Sequence, residues 1–132
     1  MAEVIVVAAI CIHDGAGRLL TVRKRGTHRF MLPGGKLEPG ETPELAVVRE
    51  TAEEVGIVVA LDDLVLLGEW RAPAANEPDT YIDSTVFTAD VSDPRPVVAG
   101  EIEELRWLDP AGAEAYDDLA PMLTLKVLPA LR

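Results

Sequence analysis

The sequence predicts an α/β fold in a single domain, with a mixed sheet lying between helices. Strand-like runs of β-branched and apolar residues recur along the chain, and helical patterns separate and follow them. The chain has 132 residues, enough for one buried core, and its hydrophobic content of 48% is ordinary for a globular protein. No repeat, low-complexity tract or linker divides it, so we expect residues 1–132 to form one domain.

The first part of the chain predicts two strands and a glycine turn. Residues 4–12 and 18–24 have the pattern of paired strands around a turn at residues 13–17. That turn has two glycines but lacks the third glycine and the following helix of a dinucleotide-binding fingerprint, so a hairpin turn is the better interpretation. Residues 25–31 are predicted as a loop, which leads through residues 32–33 into a glycine-rich turn.

A helix is predicted next, because its end signals are present in the sequence. Thr42 suits the N-cap, Pro43 suits the first helical position, where no amide hydrogen is needed, and Gly56 suits the C-terminal cap. Apolar residues recur between these ends at helical spacing and predict a buried stripe. The predicted stripe consists of Leu45, Val48, Ala52 and Val55.

The second half of the chain predicts more strands and a helical end. The predicted strands after the helix are residues 57–60, 64–72, 80–90 and 102–108. A loop rich in turn formers is expected at residues 73–79. Pro110 opens helical sequence that continues to the C-terminus, with an interruption at Pro121.

Three glutamates, Glu50, Glu53 and Glu54, are expected together on the helix face opposite the apolar stripe. Neighbouring like charges at this spacing destabilise a helix by about 0.2–0.5 kcal/mol per pair. A solvated acidic face, with Arg49 paired to Glu53, is one interpretation. The glycine-rich turn before the helix favours another, because it lets a backbone carbonyl approach the acids. Ligands that are all oxygen suit magnesium or manganese rather than zinc.

The segment resembles the Nudix box: glycine, five residues, glutamate, seven residues, Arg-Glu, an aliphatic, any residue, Glu-Glu, any residue, glycine and an aliphatic. The matching positions are Gly35, Glu41, Arg49, Glu50, Glu53, Glu54, Gly56 and Ile57. Thr51 stands where an aliphatic residue is usual, and its valine-like shape should be tolerated in packing. The resemblance implies a Nudix-type α/β/α sandwich and metal-dependent hydrolysis of a diphosphate linkage.

The resemblance also implies roles for individual residues. Glu50, Glu53 and Glu54 are expected to hold Mg²⁺, or Mn²⁺, together with the carbonyl oxygen of Gly34. Arg49 and Glu41 match the positions of an orienting ion pair. Among these residues, the expected catalytic group includes Glu53, Glu54, Arg49 and Glu41.

A further carboxylate is expected from the loop before the strand that contains Trp107. Glu101 lies at the end of that loop and matches the family position best, as either a metal ligand or the general base. Glu103 and Glu104 are the alternatives, but a loop residue reaches a water molecule more freely than a strand residue does.

Substrate contacts are predicted from polar residues around this segment. Arg23 and Arg25 end the second predicted strand, and each could hold a phosphate or a base through its planar guanidinium. Lys36 follows the glycine turn and could approach a phosphate, and Asn76 in the loop could contact the edge of a base. Ordinary surface charges and a simple turn residue are the alternatives.

The resemblance leaves three functions open. The box looks most like small MutT-type enzymes that hydrolyse nucleoside triphosphates, including oxidised or non-standard ones, to monophosphate and pyrophosphate. Hydrolysis of a nucleoside diphosphate linked to another group, such as ADP-ribose, is the second candidate, and Pro73 lies where that group often has a proline. A silent nucleotide-binding module is the third, although such modules would be expected to lose box acids that this chain retains.

Composition limits the partners. The net charge of −11 argues against binding long nucleic acid, which needs a basic surface, and leaves a small-molecule nucleotide as the expected substrate. Residues 4–12 are too few to span a bilayer, so no membrane partner is expected. The single Cys11 lies in an apolar run and is expected to be buried, and the cytoplasm is the expected compartment. A homodimer is left open.

Overall fold

The computed structural model describes residues 2–131 and contains a mixed sheet with helices, which confirms the predicted fold class. The strands are β1 (Glu3–Cys11), β2 (Leu19–Lys24), β3 (Gly34–Lys36), β4 (Leu64–Pro73), β5 (Thr80–Ala89) and β6 (Ile102–Leu108). The α-helices are α1 (Pro43–Val55) and α2 (Leu128–Leu131). Shorter helical segments are the 3-10 helices Leu61–Asp63 and Pro110–Ala115 and a π-helical turn at Leu123–Val127.

Two sheets form the centre of the fold. The larger has the strand order β3-β1-β5-β4, in which β1 runs parallel to β5 and the other two pairs are antiparallel. The smaller is the antiparallel pair β2-β6. A register shift between Arg23 and Lys24 in that pair marks a β-bulge, which changes the direction of the end of β2.

The predicted hairpin between residues 4–12 and 18–24 is wrong. β1 has β3 and β5 as its neighbours, and β2 pairs with β6 instead. The turn itself is present: Asp14 Oδ1 accepts hydrogen bonds from the amides of Ala16 and Arg18 at 3.0 and 2.8 Å. Beyond the bridge between His13 and Leu19 the two strands separate, because each completes a different sheet.

Apolar residues form one core on each side of the larger sheet. On one side α1 supplies Val47 and Val55, which cluster with Ile10 of β1 and Phe87 of β5. On the other side the C-terminal segment packs against Val86 and Cys11 in a second cluster whose other members include Leu119, Leu123, Val127 and Leu128. Cys11 is fully buried as expected, and burial raises the pKa of its thiol to about 12, so it acts as a small apolar residue. The sheet therefore lies between helical segments.

The end signals of α1 are confirmed, but its predicted apolar stripe is wrong at two of its four positions: Val55 is buried and Val48 packs against the core, whereas Leu45 and Ala52 do not. The Thr42 side chain accepts from the amide of Leu45 at 3.2 Å, and Gly56 ends the helix in the left-handed conformation with φ 68°. Leu45 is exposed, and Ala52 is also on the outside. The buried residues of α1 are Ala46, Val47, Thr51, Glu54 and Val55. The sheet contacts a face rotated from the predicted one.

The rotation of α1 explains why Thr51 and Glu54, two residues of the box, are buried. Thr51 is fully buried, and its hydroxyl donates to the Val47 carbonyl at 2.6 Å, so its polar atom is satisfied within the helix. Glu54 lies on the buried face, with only 5% of its surface exposed, whereas the side chain of Glu53 is 57% exposed. The three glutamates therefore do not share one solvent-facing side.

Two further segments differ from prediction. Residues 57–60 form no strand, although Ile57 and Val59 are buried, because the chain packs them into the core without a partner strand. Helical structure after Pro110 breaks at residues 116–120, and Pro121 begins the next helical segment rather than interrupting it. A proline fits a first helical turn because that position needs no amide hydrogen. Within residues 2–131, no helix has the length and apolar character needed to cross a lipid bilayer.

Candidate active site

The glycine turn brings backbone against the carboxylates of α1. The Gly34 amide donates to Glu54 Oε1 at 3.0 Å. Gly35 lies so close to Glu50 that a Cβ atom added there would be 2.6 Å from the carboxyl carbon. A side chain at this position would displace the Glu50 carboxylate. The backbone of the turn therefore lies directly against the carboxylates of Glu50 and Glu54.

Arg49 forms hydrogen bonds with three glutamates of the box. Its guanidinium donates from Nε and Nη2 to both oxygens of Glu41 at 2.8 and 2.9 Å, a bidentate pair. The same group donates from Nη1 to Glu50 at 2.8 Å and to Glu53 at 3.3 Å, and from Nη2 to the Lys36 carbonyl at 3.2 Å. Hydrogen bonds from Arg49 and from the Glu38 amide lower the pKa of Glu41 to about 2. One arginine thus ties the loop after β3 to three glutamates.

Glu54 has an unusual environment for a carboxylate. Its pKa is raised to about 7, chiefly by burial, with the charges of Glu50 and Glu101 acting in the same direction. The Gly34 amide and the Lys24 ammonium act in the opposite direction. A buried acid with too little compensating positive charge is a typical feature of functional sites.

This raised pKa predicts how the metal-free protein responds to pH. Between pH 4.5 and about 7 the folded state keeps the Glu54 proton that the unfolded state has lost, so stability falls as pH rises through this window. The loss is on the order of 3 kcal/mol, at roughly 1.4 kcal/mol per pH unit. Glu54→Gln cannot titrate, so its stability relative to wild type should increase across the window. Urea unfolding of both proteins in chelator, at the two ends of this pH window, measures the two free energies of unfolding. If their difference did not change with pH, the raised pKa of a buried Glu54 would be contradicted.

The segment before β6 places Glu101 beside α1. The amides of Val97 and Ala99 donate to the Val55 and Glu54 carbonyls at 3.0 Å each, which satisfies the C-terminal end of the helix. Glu101 follows directly, with its side chain 78% exposed and 3.9 Å from Lys24 Nζ. By contrast, the alternatives Glu103 and Glu104 both contact Arg23, at 3.8 and 3.1 Å. The structure therefore brings Glu101, rather than these two, toward Glu54.

A cavity opens next to the glycine turn, on the sheet face opposite α1. Its volume is about 840 Å³ when the open mouth is included. The sheet contributes a floor that includes Ile82 and Ser84, and the C-terminal segment contributes Met122 and Leu123. Gly34, Gly35 and Lys36 line the end nearest the box acids, and Pro73, Ala75 and Glu77 of the β4–β5 loop line another part.

The predicted substrate contacts fall into two groups around this cavity. Lys36 lines it. Arg23, Arg25 and Asn76 do not line it: Arg23 is engaged by Glu104 and by the Thr27 carbonyl, at 3.1 and 2.8 Å, and the other two are exposed. Their substrate roles stay predictions.

Sequence reasoning missed two residues that the structure brings to this region. Lys24, which follows a register shift in β2, lines the cavity and lies near both Glu54 and Glu101. Lys24 lies in the basic run of residues 23–25, from which only the two arginines were predicted to contact the substrate. Ser84 also lines the cavity, and its signal was a lone serine within an otherwise strand-forming run.

The oxygen atoms of the box glutamates and of the glycine turn are suitable ligands for a hard divalent cation, although the side chains do not converge on a single point. Among residues 2–131, no three His, Cys, Asp or Glu side chains converge as a metal cage. The Arg49 guanidinium instead holds Glu50 and Glu53. The available ligands are all oxygen, and the crowding that raises the pKa of Glu54 is what a cation would relieve. The residues therefore fit Mg²⁺ or Mn²⁺ after rotation of exposed carboxylates.

Comparison with known proteins gives one family. The NUDIX domain model matches residues 3–126. A MutT-like protein of Streptomyces ambofaciens is 33% identical over 125 residues, which cover 95% of this chain and 75% of that protein. An ADP-ribose pyrophosphatase of Methanocaldococcus jannaschii is 43% identical over 75 residues, covering 55% of this chain and 43% of that protein, so the match spans less than half of that relative.

Solved structures agree in fold. A MutT NUDIX hydrolase from Burkholderia pseudomallei superposes with a TM-score of 0.72 at 28% identity, covering 98% of this chain and 96% of that one. The family model extends over nearly the whole chain, and the Streptomyces relative is matched over three quarters of its length. The chain therefore belongs to the Nudix family of hydrolases.

Proposed function

We propose that this protein hydrolyses a phosphoric anhydride bond of a nucleoside triphosphate, including oxidised or non-standard ones, to give the monophosphate and pyrophosphate. The observation that carries the proposal is the contact of the glycine turn with Glu50 and Glu54 beside an open cavity. Phosphoryl transfer depends mainly on positioning and on neutralising charge, and this arrangement serves both.

The box would hold the metal. Glu50, Glu53 and Glu54, with the carbonyl of Gly34, are the proposed ligands for Mg²⁺, with Mn²⁺ as a substitute. The bound cation would neutralise phosphate oxygens and lower the pKa of a coordinated water. Because the Gly34 amide already holds Glu54 Oε1, this carboxylate is oriented before any metal arrives.

Arg49 and Glu41 act in the proposal as positioning residues. Their bidentate pair joins the loop to the helix, and the carbonyl of Lys36 accepts from the same guanidinium. The backbone of the turn is thereby fixed relative to Glu50. Lys36, at the rim of the cavity, is then available to bind a phosphate of the substrate.

Product analysis tests the reaction. Nucleoside triphosphates should give pyrophosphate, detected as orthophosphate only after an inorganic pyrophosphatase is added. A chelator should stop formation of the nucleoside monophosphate, measured by chromatography because the added pyrophosphatase itself needs magnesium. Orthophosphate released without the added pyrophosphatase would mean that the terminal phosphate is cleaved instead.

A second candidate is hydrolysis of ADP-ribose or a related nucleoside diphosphate derivative. It is supported by the identity to the archaeal ADP-ribose pyrophosphatase and by Pro73, which lines the cavity. Two phosphorylated fragments, AMP and ribose 5-phosphate, would identify this reaction. A protein that binds nucleotides but turns over no diphosphate-linked compound would be the binding module.

Glu101 is proposed as the further ligand or the general base, and its variant should be impaired. Glu101→Gln should reduce kcat by about 10-fold or more, since a positioned base contributes roughly 10²–10⁴-fold. Glu103→Gln is the matched control, because Glu103 is also exposed but contacts Arg23. Steady-state kinetics on both variants measure this, and a larger loss in Glu103→Gln would move the role to that residue.

Magnesium should stabilise the folded protein, because the crowded carboxylates are held together only in the folded state. At a concentration about 100-fold above Kd the gain is about 2.7 kcal/mol, or roughly 5–10 °C in Tm. Differential scanning fluorimetry measures the shift, with sodium chloride of equal ionic strength as the control. Glu54→Gln should lose most of it. An equal shift in both proteins would place the stabilising ion elsewhere.

A further inference from the structure

β4 is a long strand at the edge of the larger sheet. Among the strands of residues 2–131 it has β5 as its one neighbour in the order β3-β1-β5-β4, and it extends over 10 residues. The strand at the opposite edge, β3, has 3 residues. One side of β4 therefore presents backbone amides and carbonyls to which no strand of the described chain is paired.

The register of β4 on β5 shows which residues direct these groups outward. The Ala74 amide donates to the Thr80 carbonyl at 2.8 Å, which continues the register of the two strands. Along an antiparallel strand, the residues that bond to a given neighbour alternate with residues that do not. Ala74 and every second residue before it, back to the bulge, therefore bond to β5, whereas Glu69 and Arg71 direct their amides and carbonyls outward. Pro73 is also in the outward set, where a strand tolerates a residue without an amide hydrogen.

The side chains of Glu69 and Arg71 carry opposite charges on one face of the sheet. They are two residues apart on a strand, so they point to the same side, and both are exposed. Arg71 Nη2 donates to Asp83 of β5 at 2.8 Å, yet the arginine side chain stays 58% exposed. Glu69 has no basic partner among residues 2–131. The outward edge of β4 thus has a carboxylate without a partner and a guanidinium that can bind a second carboxylate.

We propose that β4 pairs with β4 of a second copy of this chain, antiparallel about a twofold axis at Trp70. In that register Glu69 of each copy lies opposite Arg71 of the other. Because both residues direct their backbone groups outward, each opposed pair exchanges two backbone hydrogen bonds in addition to forming an ion pair. The larger sheets of the two copies then become one continuous sheet.

The signs of the two charges favour this register over its neighbours. Charged residues on an edge strand usually prevent pairing, because like charges meet when a second copy approaches. A shift of two residues is the smallest that keeps the same backbone groups facing each other. It places either Glu69 opposite Glu69 or Arg71 opposite Arg71, and like charges directly opposite each other destabilise a strand pair. The two side chains therefore select one antiparallel arrangement.

The pairing also covers exposed apolar side chains, but it is short. Val65 and Leu66 at the start of β4 are 62% and 55% exposed, and in this register they lie beside Pro73 of the second copy. Pro73 has no amide to donate, and the bulge between Leu66 and Gly68 interrupts the other end. A segment of this length belongs to the weak interfaces that bury less than about 1,200 Å². We therefore expect a dimer in equilibrium with the monomer at micromolar concentrations.

Charge reversal tests the proposed register. Glu69→Arg places arginines opposite arginines, and Arg71→Glu places glutamates opposite glutamates, so each variant alone should raise the dimer dissociation constant by about 10-fold or more. An equimolar mixture of the two variants should dimerise like the wild type, because every contact then joins opposite charges. Sedimentation velocity over a series of micromolar concentrations measures the dissociation constants. The experiment needs neither metal nor substrate, so its outcome is independent of the proposed reaction.

The controls separate the strand pair from net charge and from folding. Glu44→Arg makes the same charge change on α1, which packs against β1 and β3, and should dimerise like the wild type. Glu69→Arg makes the net charge of −11 less negative, which by itself would favour association rather than oppose it. Circular dichroism shows whether each variant is folded. Glu69→Arg breaks no ion pair within residues 2–131, so it decides the proposal even if Arg71→Glu, which loses the Asp83 contact, does not fold.

Three results would each overturn the proposal. The first is a wild type that stays monomeric at every concentration, and the second is a dimer that survives Glu69→Arg. The third is a mixture of the two folded variants that remains as weak as either variant alone, because the contact would then not join residue 69 to residue 71.

Discussion

Glu54→Gln is expected to lower kcat by about 10²–10³-fold while the protein stays folded. The magnitude is that of removing one group that stabilises charge in a transition state. The carboxylate is nearly buried and accepts from the Gly34 amide at 3.0 Å, and a glutamine oxygen can accept the same hydrogen bond. What the amide cannot supply is the negative charge that a hard cation requires. The variant therefore separates metal binding from folding.

The measurement combines turnover with metal-free stability. Steady-state hydrolysis should fall, whereas the Tm in chelator should not, because burying a neutral amide avoids the desolvation that raises the pKa of Glu54. Glu44→Gln is the matched control, since Glu44 lies exposed in the first turn of the same helix. Near wild-type turnover in Glu54→Gln would remove this residue from the ligand set.

The local parts of the site could be predicted from the sequence because their signals are local. Thr42, Pro43 and Gly56 mark the ends of α1 through the hydrogen bonds and backbone angles that helix ends require. The ion pair between Glu41 and Arg49 was expected from the resemblance to the Nudix box, and the structure contains it. Each of these features depends on residues within one or two turns of chain.

The buried face of α1 could not be predicted because tertiary contacts decide it. The pattern treated Leu45 as core and Glu54 as surface, and the structure reverses both. A hydrophobicity pattern assigns every glutamate to the exposed face of a helix. The pattern therefore cannot indicate that the Gly34 amide, at the edge of the sheet, donates a hydrogen bond to a buried Glu54. Packing against β1 and β3 decides the rotation of the helix.

The strand pairing and the cavity also could not be predicted from the sequence, because both depend on contacts between distant parts of the chain. Residues 4–12 and 18–24 look like a hairpin locally, but each has a better partner far along the chain. The cavity joins Lys24, Ser84 and Met122, which no spacing rule connects. A cavity assembled in this way could not be predicted from the sequence, because its lining residues come from distant parts of the chain.

Gly34→Ala is expected to have the largest effect on stability, about 2–3 kcal/mol, which is the usual scale of overpacking and backbone strain. A Cβ atom at Gly34 would overlap the carbonyl oxygen of Ala8 and lie 2.8 Å from the Cα atom of Ala9. Both are backbone atoms of β1, the strand paired with β3, so neither can rotate away. Relief requires β3 to move, and this movement takes the Gly34 amide away from Glu54.

Stability and activity should therefore fall together in this variant. Urea unfolding gives the first quantity, and kcat measured well below the Tm gives the second. Gly15→Ala is the control, because a Cβ atom there meets nothing within 4 Å, and its stability should stay within about 0.5 kcal/mol of wild type. If Gly34→Ala were as stable as Gly15→Ala, β3 would not be held against β1 as tightly as the structure shows. If it were destabilised but fully active, the Gly34 contact would not be needed to position Glu54.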